Sequence, residues 1–265
     1  MRNFKYQLIT IFFILSGCST APLKVDIASQ PKADEMNSSA FEERVGQSGY
    51  YFMMLNFKFD DDPKLQNKLN RICARVSHYT ERPNIRYKIF ILDTKYRNAF
   101  SFPDGYIFIT NSMVSTLDSD DKIAAIFAHE IAHITHKHLL NTYERKKGNS
   151  ILKVILGKDV FDMAAELGYS RSNEFQADQT ALRYLYRSGY NPELMVTALE
   201  DIKRIEKEDD IEAEKDKENK NNKDKWLNAF LTHPYTENRI VNIKNYMQEV
   251  YVSEKVQYKA EDFNF

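Results

Sequence analysis

Apolar and polar positions alternate with changing periods along the chain, and each change marks an element. Residues 41–58 are apolar-rich and read as helix. Asp61-Asp62-Pro63 then supplies helix-start chemistry for a helix near 63–79, whose stripe Leu65, Leu69, Ile72, Cys73, Val76 places a lone cysteine on the buried face. Tyr87–Asp93 reads as a strand, Asn98–Pro103 as a second, and Asp104-Gly105 as a turn into a third at Tyr106–Thr110. A helix start at Leu117–Asp121 opens a segment expected to stay helical to about Lys147, ahead of Gly148. Residues 151–167 are amphipathic. Another helix runs from about Ser172 to Arg187 and stops at Ser188-Gly189, and Asn191-Pro192 begins the next. The order of elements predicts an α+β fold, mainly helical, with a small β-sheet. Between 201 and 225 the chain becomes a mixed-charge run that reads as a solvated helix end followed by a mobile insert, not as a binding tail.

The first forty residues carry a different message. Arg2 and Lys5 precede an apolar run, Leu8–Leu15, that is too short to span a bilayer. It ends in Leu15-Ser16-Gly17-Cys18, which resembles a bacterial lipobox. Residues 1–17 are therefore expected to be a lipoprotein signal peptide and Cys18 the lipidated residue. Residues 18–40, polar with two prolines, read as a flexible linker. Lys plus Arg total 37 against 38 Asp plus Glu, so no bulk field draws the chain to nucleic acid. Two cysteines exclude a disulfide scaffold and a four-cysteine zinc site, so any metal must be held by His and carboxylates.

The chemistry concentrates at Ala128-His129-Glu130-Ile131-Ala132-His133. Helical residues advance about 100° each, so His129 and His133 lie one turn apart on one face and can reach a single Zn²⁺. Glu130 stands on the flank of that face, where it can take a proton from metal-bound water. The helix around these residues is apolar nearly all round, and burying two imidazoles and a carboxyl there is costly unless they are paired or metallated.

A catalytic zinc needs a third protein ligand and an open position. In an unbroken helix His136 lies about 10.5 Å along the axis from His129, too far for both to hold one ion, His138 faces the opposite side, and the metzincin position falls on Leu139. The ligand must come from another element. Glu174 is the best donor, and Asp178, four residues on and on the same face, is the natural carboxylate to accept from the far N–H of a ligand imidazole.

His129-Glu130-x-x-His133, followed by Glu174-x-x-x-Asp178, resembles the gluzincin metallopeptidases of the HtpX and CAAX prenyl-protease family. Asn98–Phe100 and Gly105–Thr110 resemble the strand segment before that family's metal helix, and His233-Pro234 with Arg239-Ile240 its late motif. The likeness covers most of 41–252, which is taken as one zinc metallopeptidase domain, with 253–265 as a tail. With the lipobox, it is similar to the soluble periplasmic lipoprotein branch (LoiP- and YcaL-like), without a tetratricopeptide-like extension. The resemblance implies a zincin-like fold, one Zn²⁺ per chain held by His129, His133 and Glu174, and Glu130 as general base and acid.

It also implies that His233 acts near the metal, as an oxyanion donor or as a cap on a resting site. Read from the residues alone, His233 could equally cap the following helix, and Arg239 reads as a structural ion-pair partner. The strand Tyr106, Ile107, Phe108, Ile109 could pair with an extended substrate, although its pattern suits a core strand equally well. The expected activity is endoproteolysis of unfolded or misassembled envelope proteins in the periplasm, at the inner face of the outer membrane, with the lipid at Cys18 as the only membrane contact. Two alternatives are a chaperone-like assembly factor with a self-blocked zinc and a structural zinc site closed by His233.

Overall fold

The computed structural model describes residues 38–146, 169–215, 233 and 236–254. The leader, Cys18, the linker up to residue 37, the amphipathic stretch 151–167, residues 216–232 of the charged region and the tail from 255 lie outside them.

The described chain runs α1 (Ser39–Asn56), α2 (Pro63–Ser77), β1 (Lys88–Leu92), β2 (Ala99–Phe102), β3 (Tyr106–Thr110), α3 (Asn111–Thr116), α4 (Asp120–Thr135), α5 (His138–Lys146), α6 (Arg171–Arg187), α7 (Leu194–Lys215) and α8 (Thr236–Glu254). Side-chain caps open most of these helices. Ser38, Asp62, Thr110, Ser119 and Ser170 each accept a backbone N–H of the first turn. The first helix therefore starts inside the stretch expected to be linker, because Ser38 caps it. Similarly, α7 carries the expected solvated region as helix to Lys215.

The three strands make a mixed sheet in the order β1–β3–β2, with β1 parallel and β2 antiparallel to β3. Strand alternation divides the interior into two cores. Ile89, Ile91, Ile107 and Ile109 face the helices, joining Leu69, Ile72, Phe127, Ile131 and Leu185. Phe90, Phe100, Phe102, Tyr106 and Phe108 face α1 and pack with Phe41, Val45 and Met53. On α1, a Cβ at Gly49 would come within 2.6 Å of the Phe102 ring, so only glycine lets the helix approach this closely.

This topology corrects the reading of Tyr106–Ile109 as a substrate strand. Strand β3 is the middle of the sheet, its main chain is paired on both sides, and every residue in it is buried. Strand β2, by contrast, is an outer strand of the sheet.

A second correction concerns the metal helix. It does not run unbroken to Lys147 but ends at Thr135, turns through His136 and Lys137, and restarts at His138. Lys137 has φ 53°, in the left-handed region. The break is held from outside by Arg82, which donates to the Ile134 carbonyl at 3.1 Å, and by Asn141, which donates to the His136 carbonyl at 2.8 Å. The lone Cys73 is buried as its stripe predicts, and burial pushes its thiol up to about 12.

Candidate metal centre

Helix α4 is buried along the whole of Ala128–Ile134 and packs against α6 as its main neighbour. Its exposed alternatives are few, so the two imidazoles have nowhere to point but inward. Nε2 of His129 stands 3.0 Å from Nε2 of His133. Across the interface, Glu174 in the first turn of α6 brings Oε2 to 3.4 Å from His129 Nε2 and Oε1 to 3.5 Å from His133 Nε2. Ligand atoms placed tetrahedrally at about 2.0–2.1 Å from Zn²⁺ lie roughly 3.3 Å apart, so these three separations fit one ion. His233 adds a fourth donor: one ligand atom from each of His129, His133, Glu174 and His233 lies within 4.8 Å of all the others.

The far side of each ligand imidazole is also held. Asp178, one turn after Glu174 on α6, sets Oδ1 2.9 Å from His129 Nδ1. Arg239 on α8 grips that carboxylate with two nitrogens, at 2.7 and 2.9 Å, and reaches Glu174 Oε2 at 3.3 Å. Glu130 does not share the ligand cluster's centre. Its Oε2 accepts from the Ser101 hydroxyl at 2.8 Å, and its Oε1 lies 3.2 Å from His233 Nε2.

Comparison with known proteins fits this arrangement. Residues 63–247 match peptidase family M48. The chain belongs to that family. It is 24% identical to the beta-barrel assembly-enhancing protease of Escherichia coli O157:H7 over 92% of this chain and 53% of that protein. It is 25% identical to the mitochondrial metalloendopeptidase OMA1 of Arabidopsis thaliana, over 54% of this chain and 30% of that protein. To OMA1 of Saccharomyces cerevisiae it is 27% identical, over 62% and 48%. The chain spans about half the length of the curated bacterial relative it matches. The gluzincin likeness read from the motifs agrees with this membership, and the α+β, mainly helical architecture with its small mixed sheet agrees with the fold it implies.

The M48 site is strongly charged for its burial, and the balance shows in the protonation of each group. For Glu174, burial raises the carboxyl, but the positive charges of His233 and Arg239 and hydrogen bonds from His129 and His233 outweigh it. The net value is well below the ordinary 4.5. Asp178 is lowered in the same way, burial being offset by Arg239 and His129. Glu130 is also lowered: burial opposes, while His233, His129 and the Ser101 hydroxyl favour the anion. Burial and the neighbouring His129 hold His133 well below 6.5, so its ring is neutral and its nitrogen lone pair free for a metal.

Motif reading brought together His129, Glu130, His133, Glu174 and Asp178, and the fold juxtaposes all five. Three site neighbours were missed. Ser101 on β2 anchors Glu130, a contact only the sheet order reveals. Tyr169 lies nearly parallel to the His133 ring, centroids 3.9 Å apart and 25° between planes. Burial, with the charges of Glu130 and Glu174, pushes its hydroxyl well above 10. Finally, His138 does not face away. The turn at His136-Lys137 swings it back, so that its Nδ1 lies 2.9 Å from His133 Nδ1. Burial holds it down to about 4. Arg239, expected as an ion-pair partner, is one, but inside the candidate metal centre.

Proposed function

We propose that this chain is a zinc endopeptidase of the bacterial cell envelope that cleaves unfolded or misassembled envelope proteins. The observation that carries the reading is the convergence of His129 Nε2, His133 Nε2 and the Glu174 carboxylate from two helices at separations suited to one ion, with Glu130 beside them and outside the ligand set. M48 membership supports it, and so does the name of the Escherichia coli relative, a beta-barrel assembly-enhancing protease.

Zinc, when bound by those three residues, supplies Lewis acidity for a peptide carbonyl and for water. Glu130, kept anionic by its neighbours, takes the proton of the attacking water and passes it to the leaving amine. Ser101 holds one carboxylate oxygen at 2.8 Å and leaves the other to face the cluster. An extended substrate is taken up along the outer edge of β2, where main-chain pairing is independent of sequence and so suits unfolded polypeptide. Beside that edge is a cavity lined by Asn98, Met113, Ile126, Met195, Leu199 and His129. The Asn98 side-chain N–H group is buried there with no acceptor among the described residues, ready for a carbonyl of the substrate.

Two experiments test the reading. Glu130→Gln should retain zinc and lose casein hydrolysis by about 10²–10⁴-fold, and full activity in that variant would reject the mechanism. The second concerns His233, whose Nδ1 lies 3.2 Å from His129 Nε2 and 3.1 Å from Glu174 Oε1, in the place a fourth ligand would take. This favours the capped resting site over the oxyanion donor. His233→Ala should then raise peptidase activity, and a fall would assign His233 to the oxyanion instead. A chaperone-like factor with a self-blocked centre stands as the second reading, on the same His233 contact. It predicts that wild type and Glu130→Gln both suppress aggregation of an unfolded envelope protein without producing fragments. Tethering at the outer membrane rests on the lipobox, and Cys18→Ala should release the chain from the membrane fraction. No helix among the described residues is long and apolar enough to cross a membrane.

A further inference from the structure

Behind His133 runs a line of polar groups that neither the ligand set nor the proton transfer uses. His138 is 3% exposed at the start of α5, with Nδ1 2.9 Å from His133 Nδ1 and Nε2 2.9 Å from Gln176 Oε1 on α6. We propose that His138 is a positioning residue for the metal: it sets the tautomer and the ring orientation of His133, and Gln176 in turn sets the tautomer of His138. The inference rests on the zinc-site reading above and adds to it a second histidine layer.

The argument is one of proton counting. Two Nδ1 atoms 2.9 Å apart share one hydrogen, so one ring donates and the other accepts. For His133 to present a lone pair at Nε2, its hydrogen must sit on Nδ1, and His138 Nδ1 must then be the acceptor. That leaves the His138 hydrogen on Nε2, which faces an amide oxygen of Gln176. Only this order of donors and acceptors satisfies all three groups and keeps His133 free to ligate. If Gln176 turned its NH₂ toward His138 instead, every hydrogen in the line would shift by one place, and His133 Nε2 would carry a proton where the metal has to bind. His136 does not compete for these contacts, because its Nε2 is engaged with the Thr180 hydroxyl at 2.8 Å. The geometry of the break in α4 is what makes the line: His138 reaches back to His133 across five residues because Lys137 takes a left-handed conformation.

Zinc competition against a chromogenic chelator tests this on the full chain, alongside imidazole ¹⁵N spectra that report which ring nitrogen carries hydrogen. Loss of an outer partner of a ligand histidine typically weakens metal binding about 10–100-fold, and His138→Leu should fall in that range. His138→Asn should recover most of the loss, because its Oδ1 takes the place of the Nδ1 acceptor. Gln176 is exposed on α6, so its substitutions are safe for folding. Gln176→Glu can only accept and should hold zinc at least as tightly as wild type. Gln176→Met should weaken zinc and scramble the His138 tautomer in the spectra. Should His138→Leu fail to fold, the Gln176 pair and the spectra decide. The proposal is overturned if every folded variant binds zinc as wild type does, or if His138 carries its hydrogen on Nδ1 in the zinc-loaded protein. A wild type that takes up no zinc would instead sink the metal reading itself.

Discussion

Arg239 and Arg82 each hold one buried carboxylate through two nitrogens, Arg239 beside the middle of α4 and Arg82 at its C-terminal end. They differ in what lies beyond the carboxylate. Arg239 grips Asp178, whose other contact is Nδ1 of His129 in the candidate metal centre. Arg82 grips Glu42 of α1 at 2.7 and 2.8 Å and also donates to the Ile134 carbonyl, while Lys137 Nζ stands 3.2 Å from Oε2 of Glu42. The first clamp ends on the His129 side of the candidate metal centre. The second ends on a helix terminus, where a cation satisfies carbonyls left over by the last turn. The same pairing chemistry therefore serves reaction geometry in one place and chain geometry in the other, and the two should separate in measurement.

The largest effect should come from Arg239→Leu. It strands two buried carboxylates, Asp178 and Glu174, and should cost about 3–5 kcal/mol in urea unfolding of the metal-free chain as well as weakening zinc. Arg82→Leu should cost less, about 2–3 kcal/mol, because a quarter of the Arg82 side chain is exposed to water. Its zinc affinity should match wild type, and if zinc binding fell as it does for Arg239→Leu, the distinction between the clamps would be lost. Asp178→Asn keeps the shape but removes the charge facing His129. Zinc binding should weaken about 10–100-fold, and because Arg239 then keeps only Glu174 as an anionic partner among the described residues, the metal-free chain should also lose stability, though less than in Arg239→Leu.

The smallest effect is one of pH. Burial raises Glu42, but hydrogen bonds and charge from Arg82 and Lys137 outweigh it, so its folded value lies below the ordinary 4.5. Between those two values the unfolded chain binds a proton that the folded chain does not. Glu42 therefore contributes stability above about pH 4.5 that disappears as pH falls through the lowered value. Glu42→Gln should be less stable at neutral pH and should approach wild type on acidification. Parallel curves down to the acid limit would contradict this.

Much of the metal centre was legible from spacing alone because helices impose it. His129, Glu130 and His133 share a face by the 3.6-residue period, and the four-residue step from Glu174 to Asp178 puts both carboxylates on one side of α6. What spacing could not supply was anything that depends on a break or on strand order. His138 was placed on the wrong side because the helical wheel assumes no turn at Lys137, a residue without any sequence mark of left-handed backbone. For Tyr106–Ile109 a substrate-pairing strand and a core strand stay equally open in the sequence, because period-two alternation is the same in a central strand and an outer one. The segment's unbroken apolar run, aromatic on one face and aliphatic on the other, is the hint the sequence offers that it sits in the middle. Ser101 is one serine in a short strand, and nothing local announces that its hydroxyl meets Glu130.

The backbone at Lys137 also has an arithmetical consequence. Adding or deleting a single residue between His133 and His138 would change the turn at Lys137 and carry the imidazole at the head of α5 out of reach of its neighbour. The interval of five residues is thus a ruler built into the loop, and a chain that keeps His-Glu-x-x-His but changes that interval must find another way to steady its second histidine.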